Sequence, residues 1–118
     1  MMHASQKKLF ALGRLKTGEM NKLEEKYSVY LDWLKSTGDV LWFKFEGLKL
    51  RLADNTFFTP DFFVMHADQT LECHEVKGFM MEDSNVKIKV AAALYPFRFY
   101  VVKARPKKDG GGWKREEF

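Results

Sequence analysis

Only one cysteine, Cys73, occurs among the 118 residues. A disulfide framework within the chain is excluded, as is a zinc site of paired thiolates, and Cys73 reads as a small buried hydrophobe. No apolar run approaches the roughly 20 residues that a membrane-spanning helix needs. Residues Met1 to Lys8 lack the unbroken apolar stretch of a secretory signal, so a cytoplasmic location and no membrane partner are expected. Internal repeats and long linkers are missing too, and no second domain fits the length. His66 and His74 look isolated, without a carboxylate cluster on their own face, and read as strand residues and not as metal ligands. What the chain has is aromatic mass. Eleven phenylalanines and three tryptophans are enough to fill the core of one small domain. Twenty Lys and Arg against sixteen acids leave a formal charge of +4.

The periodicities predict alternating helix and strand. From Asn21 to about Ser36, Leu23, Tyr27, Tyr30, Leu31 and Leu34 recur at three- and four-residue steps, the mark of an amphipathic helix. Asn21 and Glu24 have the spacing of a capping box, and Gly38 suits the left-handed stop. Val40 to Phe45 and Leu48 to Leu52 read as strands, or as one strand bent at Glu46-Gly47. After turn chemistry at Ala53-Asp54-Asn55, Phe57 to His66 and Thr70 to Lys77 read as a hairpin closed by Ala67-Asp68-Gln69. A second helix is expected from an N-cap at Asp83 or Ser84 to about Leu94, because Tyr95 precedes Pro96. Its expected buried stripe is Val86, Val90, Ala93 and Leu94. Phe97 to Lys103 makes the last strand. This divides the chain into a basic N-terminal arm (1–20), a core (21–104) and a basic, glycine-rich C-terminal tail (105–118), in which Trp113 is a candidate anchor.

One constellation carries chemistry. Thr59-Pro60-Asp61 is followed, after thirteen residues, by Glu75-Val76-Lys77. Side chains two apart on a strand share a face, so Glu75 and Lys77 project together, and a hairpin brings Asp61 alongside. Magnesium or manganese takes oxygen ligands and leaves positions for water and phosphate, which two carboxylates would allow. A compact ammonium such as Lys77 suits the charge of a reacting phosphate. The competing reading is structural, with Glu75 and Lys77 as a surface ladder pair and Asp61 bonded to nearby backbone. Apolar neighbours (Phe62, Phe63, Val64, Leu71, Val76) argue against it, since an acid on a buried strand is costly unless paired or coordinated.

Pro60-Asp61 with Glu75-x-Lys77 resembles the signature of the PD-(D/E)xK nuclease superfamily. The longer string His74-Glu75-Val76-Lys77-Gly78, with Tyr95-Pro96-Phe97-Arg98-Phe99 downstream, is similar to a small phage and prophage group within it. The likeness spans roughly Asn21 to Lys103. It implies a restriction-endonuclease-like α/β domain, an αβββαβ core whose mixed sheet of about four strands is flanked by helices. It also implies metal-dependent DNA cleavage leaving a 5′-phosphate and a 3′-hydroxyl, on branched or junction DNA, with a homodimer supplying two sites. In that scheme Asp61, Glu75 and the Val76 carbonyl hold Mg2+ or Mn2+, and an acid of the first helix completes the shell. Glu24, bordering the apolar stripe, is the expected helix acid; Glu25 is the weaker candidate. Lys87 is an auxiliary candidate, and Lys89 lies further round its helix. Lys7, Lys8, Arg14, Lys16, Lys22, Arg105, Lys107 and Lys108 are candidate DNA contacts at the two ends of the chain. The rival readings are a nucleic-acid-binding or regulatory module of the same fold without catalysis, and a small nickase.

Overall fold

The structure is a computed structural model that describes residues 18–78 and 85–118. Lys7, Lys8, Arg14 and Lys16, and the expected helix caps Asp83 and Ser84, lie outside the described residues.

Helix α1 (Lys22–Thr37) begins at a complete capping box: the Asn21 side chain accepts from the Glu24 amide, and the Glu24 carboxylate accepts from the Asn21 amide. It ends at Gly38, whose φ of 88° is the left-handed conformation that glycine adopts without steric cost. Tyr27 and Leu31 are buried along its inner stripe, with Leu23, Tyr30 and Leu34 packed beside them. Strands β1 (Val40–Phe45), β2 (Leu50–Ala53), β3 (Thr56–Phe58), β4 (Phe62–His66) and β5 (Leu71–Lys77) follow, then helix α2 (Val86–Leu94), β6 (Arg98–Ala104), a short 3-10 turn at Lys107–Asp109, and β7 (Trp113–Glu117).

Among the described residues the fold is α/β, with a mixed five-stranded sheet ordered β1-β4-β5-β6-β7 and a separate β2-β3 hairpin. Only the β5–β6 pair is parallel, and α2 supplies its crossover. Helix α1 covers one face over Val40, Phe62, Val64, Val76 and Val102. Helix α2 and the small hairpin cover the other, where Leu50, Phe58, Cys73, Phe99 and Val101 are buried. Phe62 is fully buried, its ring edge-on to Tyr27 at 5.5 Å, and contributes about 1.5–3 kcal/mol through burial. Cys73 is buried and free. No described helix is long and apolar enough to cross a membrane.

Three expectations need correction. The run Phe57 to His66 is not one strand. It breaks at Thr59-Pro60-Asp61 into β3, which pairs with β2, and β4, which lies between β1 and β5. Proline cannot donate to a ladder, so the chain changes sheets where Pro60 is buried. The sheet has five strands and not about four, because residues within the supposed tail form β7. Gly110, Gly111 and Gly112, all at positive φ, turn the chain back onto β6. Trp113 then packs on the α1 core and Phe118 on the α2 core. Finally, α2 buries Ile88 and Ala91, while Val86 and Leu94, at 70% and 55% exposure, face outward. This helix is apolar on two sides, so its periodicity alone could not choose the face that meets the sheet.

Candidate metal-binding and catalytic site

The break at Pro60 builds the site. The β4–β5 ladder ends at the Phe62–His74 pair, so the next outward amide of β5, that of Val76, has no strand partner on the β4 side. The Asp61 carboxylate takes that place, accepting from Val76 N at 2.8 Å, while the Asp61 amide donates to Glu75 Oε1 at 3.1 Å. The Asp61 carbonyl accepts from Glu46 N at 2.7 Å, which pins the backbone from the β1 side. Asp61 is therefore held on three sides at a gap in the sheet.

The gap is reached from both faces. Glu75 lies two residues from buried Cys73 and shares its face, so it and Lys77 belong to the α2 face. Glu24 arrives from α1 on the opposite face, close enough for its carboxyl and that of Asp61 to shift one another. The acid that caps the helix is also the acid that meets Asp61; Glu25 is exposed to solvent.

Crowding of like charges out of water marks these groups. Burial pushes Asp61 up to about 8, with the adjacent Glu75 adding to the rise and the Val76 amide opposing it. Burial likewise pushes Glu24 up to about 7, against the Asn21 amide and with help from Asp61; the Glu46 carboxylate adds to the same rise. Glu75 is also raised by burial, while hydrogen bonds from Asp61 and the charge of Lys77 pull the other way. The carboxyls of Glu24, Asp61 and Glu75 thus gather at one place, and all three are raised above their ordinary values, Glu24 to about 7 and Asp61 to about 8. An all-oxygen donor set is the kind that Mg2+ or Mn2+ takes, so these three carboxyls are candidate ligands. Glu46 was not foreseen; its only signal in the sequence was its place at the bend before Gly47.

The other candidates are more scattered. Lys87 Nζ donates to the Phe57 carbonyl at 3.0 Å, tying α2 to β3. It borders a groove of about 550 Å3 that also includes Phe57, Thr59, Glu75 and Val86. Lys89 is exposed elsewhere on α2. Lys22 lies exposed at the start of α1. Arg105, Lys107 and Lys108 are exposed around the 3-10 turn, where Arg105 donates to the Asp109 carbonyl at 2.7 Å. Lys77 is in register with Lys103 of β6, and Lys103 with Lys114 of β7, so these three lysines share a sheet face in one cross-strand row.

A second cluster lies on the α1 face, and it corrects the reading of His66 and His74 as isolated. Register places Phe62 opposite His74 and Val64 opposite Glu72, so His66, Glu72 and His74 share one face. Their ligand atoms lie within 4.8 Å of one another, so the group could hold a metal ion. Glu72 Oε1 is the hub: it lies 2.9 Å from His66 Nε2, 2.8 Å from His74 Nε2 and 3.0 Å from the Arg115 guanidinium. Burial alone would raise the Glu72 carboxyl, but His74 and Arg115 outweigh it and hold the group below its ordinary value. Glu72 is then an anion that only accepts, so His74 donates from Nε2. Its Nδ1 therefore accepts the Tyr27 hydroxyl at 2.6 Å. Burial lowers the His74 pKa, against the pull of Glu72. The alternation that set His74 opposite Glu75 also set it beside Glu72, and that was the available signal.

No protein-family model, no curated protein and no solved structure matches the chain. The reading of the site therefore rests on its own side chains.

Proposed function

We propose that the protein is a divalent-metal-dependent DNA endonuclease. The observation that carries this reading is the grouping of Glu24, Asp61 and Glu75, three half-buried carboxyls all raised above their ordinary values, with Lys77 alongside. A structural role does not call for such a grouping, since it gathers like charges where each is costly.

Asp61 and Glu75, with the Val76 carbonyl, would hold Mg2+ or Mn2+, and Glu24 would complete the shell. When bound, such an ion polarises a phosphoryl group and lowers the pKa of a coordinated water. Lys77 stabilises charge developing on the phosphate, a task for which its half-buried position at the end of β5 is suited. Asp61, fixed by the Val76 amide, is preorganised and need not reorient during reaction. The cross-strand row Lys77, Lys103 and Lys114 gives a nucleic-acid backbone a basic path leading away from the carboxylates. Lys22, Arg105, Lys107 and Lys108 would extend that electrostatic footprint.

Resemblance to the phage and prophage group favours branched or junction DNA as substrate, 5′-phosphate and 3′-hydroxyl products, and a homodimer for paired cuts. The test is cleavage of matched linear, single-stranded, flap and four-way-junction DNA with Mg2+, Mn2+ or chelator. Metal-dependent cutting abolished by Glu75→Gln is expected. DNA binding that ignores metal, with no cutting of any substrate, would replace this reading with a non-catalytic binding module.

A further inference from the structure

The groove between β3 and α2 opens onto Glu75, and its aromatic wall is not explained by the fold. In β3, Phe58 is buried in the α2 core, so by alternation Phe57 points outward, and it remains 39% exposed. A polar residue is the ordinary occupant of such an outward position. Phe57 is flanked by two ammonium groups: Lys49 Nζ lies 4.5 Å from the ring centroid, and Lys87 Nζ is bonded to the Phe57 carbonyl. Across the groove the α2 wall is apolar, with Val86 at 70% exposure. An exposed ring, an apolar wall, the Lys87 ammonium and the Glu75 carboxyl therefore border one space of about 550 Å3, with Lys49 over the ring beside it, a size suited to a small organic group.

We propose that this groove takes one unstacked nucleobase of a DNA strand, seated against Phe57, with its flanking phosphates near Lys49 and Lys87. This rests on the nuclease reading and narrows its substrate. Bases within a duplex are stacked on their neighbours and cannot present a face to a ring. A site that holds a base beside Glu75 therefore acts next to an unpaired nucleotide, as at a gap, flap or branch. Charge complementarity favours this occupant over an apolar peptide, because both lysines next to the ring suit phosphate.

The experiment is equilibrium binding with Ca2+ in place of Mg2+, to hold hydrolysis off. The probes are two DNAs of equal length carrying 2-aminopurine, one fully paired and one with the fluorescent base in a single-nucleotide gap. Wild-type protein is expected to alter the fluorescence of the gapped probe and to bind it more tightly than the duplex. Phe57→Ala and Phe57→Leu should each weaken gap binding about tenfold, with duplex binding unchanged, and Phe57→Trp should restore it. Phe57→Leu keeps apolar bulk, so it serves if the alanine variant melts early. Equal gap affinity in the leucine variant and wild type, or equal losses on gap and duplex, would overturn the proposal. Phe57-dependent binding without Mg2+- or Mn2+-supported cutting would sink the nuclease reading and leave the base site standing. Cutting and gap binding indifferent to Phe57 would do the reverse.

Discussion

Asp61 and Val76 are joined where their strands are no longer paired: the carboxylate of one accepts the amide of the other at 2.8 Å, one step beyond the last β4–β5 pair. A side chain thus continues the ladder, and its carboxyl is fixed at the opening of the sheet. The two jobs of that carboxylate can be separated by substitution. Asp61→Asn keeps an oxygen for the Val76 amide but loses the negative charge, so it should fold and fail to cut DNA. Asp61→Ala leaves a buried amide unpaired and should also lose about 1–3 kcal/mol of stability. Denaturant melts beside the cleavage assay check both.

Stability should respond to pH through the same group. Asp61 rises from 3.8 to about 8 and Glu24 from 4.5 to about 7, so the folded protein keeps protons that the unfolded chain releases. Their stabilising contribution is full below the unfolded values near 4 and is lost as pH climbs through 7 to 8. His74, lowered from 6.5, acts in the opposite sense, because below that pH the unfolded chain gains a proton that the buried imidazole resists. A comparison with Asp61→Asn isolates the carboxyl. The melting temperature of the variant should gain on that of wild type between pH 5 and pH 8, conditions set by roughly these pKa limits. A difference that is flat across that range would show that Asp61 does not hold a proton.

Metal should act against those protons. Added Mg2+ or Mn2+ is expected to raise the wild-type melting temperature more at high pH than at low pH, with chelator reversing the gain. Calorimetry should find this binding lost in Asp61→Asn. If binding survives that substitution and instead disappears in His66→Ala, the ion belongs to the cluster around Glu72.

Lys77 gives a prediction about rate and not folding. Lys77→Ala should lower the cleavage rate by about 100-fold or more, with a melting temperature close to that of wild type. Lys77→Arg should rescue only in part, since a planar guanidinium does not reproduce a compact ammonium. Single-turnover cleavage with saturating metal is the measurement.

The C-terminal strand should prove indispensable. Removing residues 113–118 deletes β7, takes Trp113 from one core and Phe118 from the other, and strips Arg115 from the buried Glu72 carboxylate. A fall in melting temperature of at least about 10 °C is expected, since each kcal/mol shifts a domain near this size by several degrees. In the intact chain, Tyr27→Phe should cost about 1–3 kcal/mol by leaving buried His74 Nδ1 without its donor. A truncated chain that melts like the full one would return these residues to the status of a tail.

Much of the site was legible because its signals are local. The alternation around Glu75 and Lys77, the capping box of Asn21 and Glu24, and the stop at Gly38 each depend on neighbours within a few residues. The preference for Glu24 over Glu25 followed from helical spacing, and Glu24 lies near Asp61 while Glu25 faces solvent. The second helix was less legible, because Ile88 and Ala91 compete with Val86, Val90 and Leu94 as an apolar face, and only the neighbours decide between them.

The sequence alone determined the first helix with its two caps and which side chains share a strand face, since backbone geometry converts spacing directly into direction. Tertiary structure decided everything that depends on which distant segments touch. It split the chain at Pro60 so that β3 and β4 join different sheets, brought Glu24 near Asp61 from the opposite face, gathered Tyr27, His66, Glu72, His74 and Arg115 into one hydrogen-bonded cluster around buried Glu72 and His74, and extended the sheet with β7. Those outcomes follow from packing energies summed over the whole molecule, and no window of neighbouring residues contains that sum.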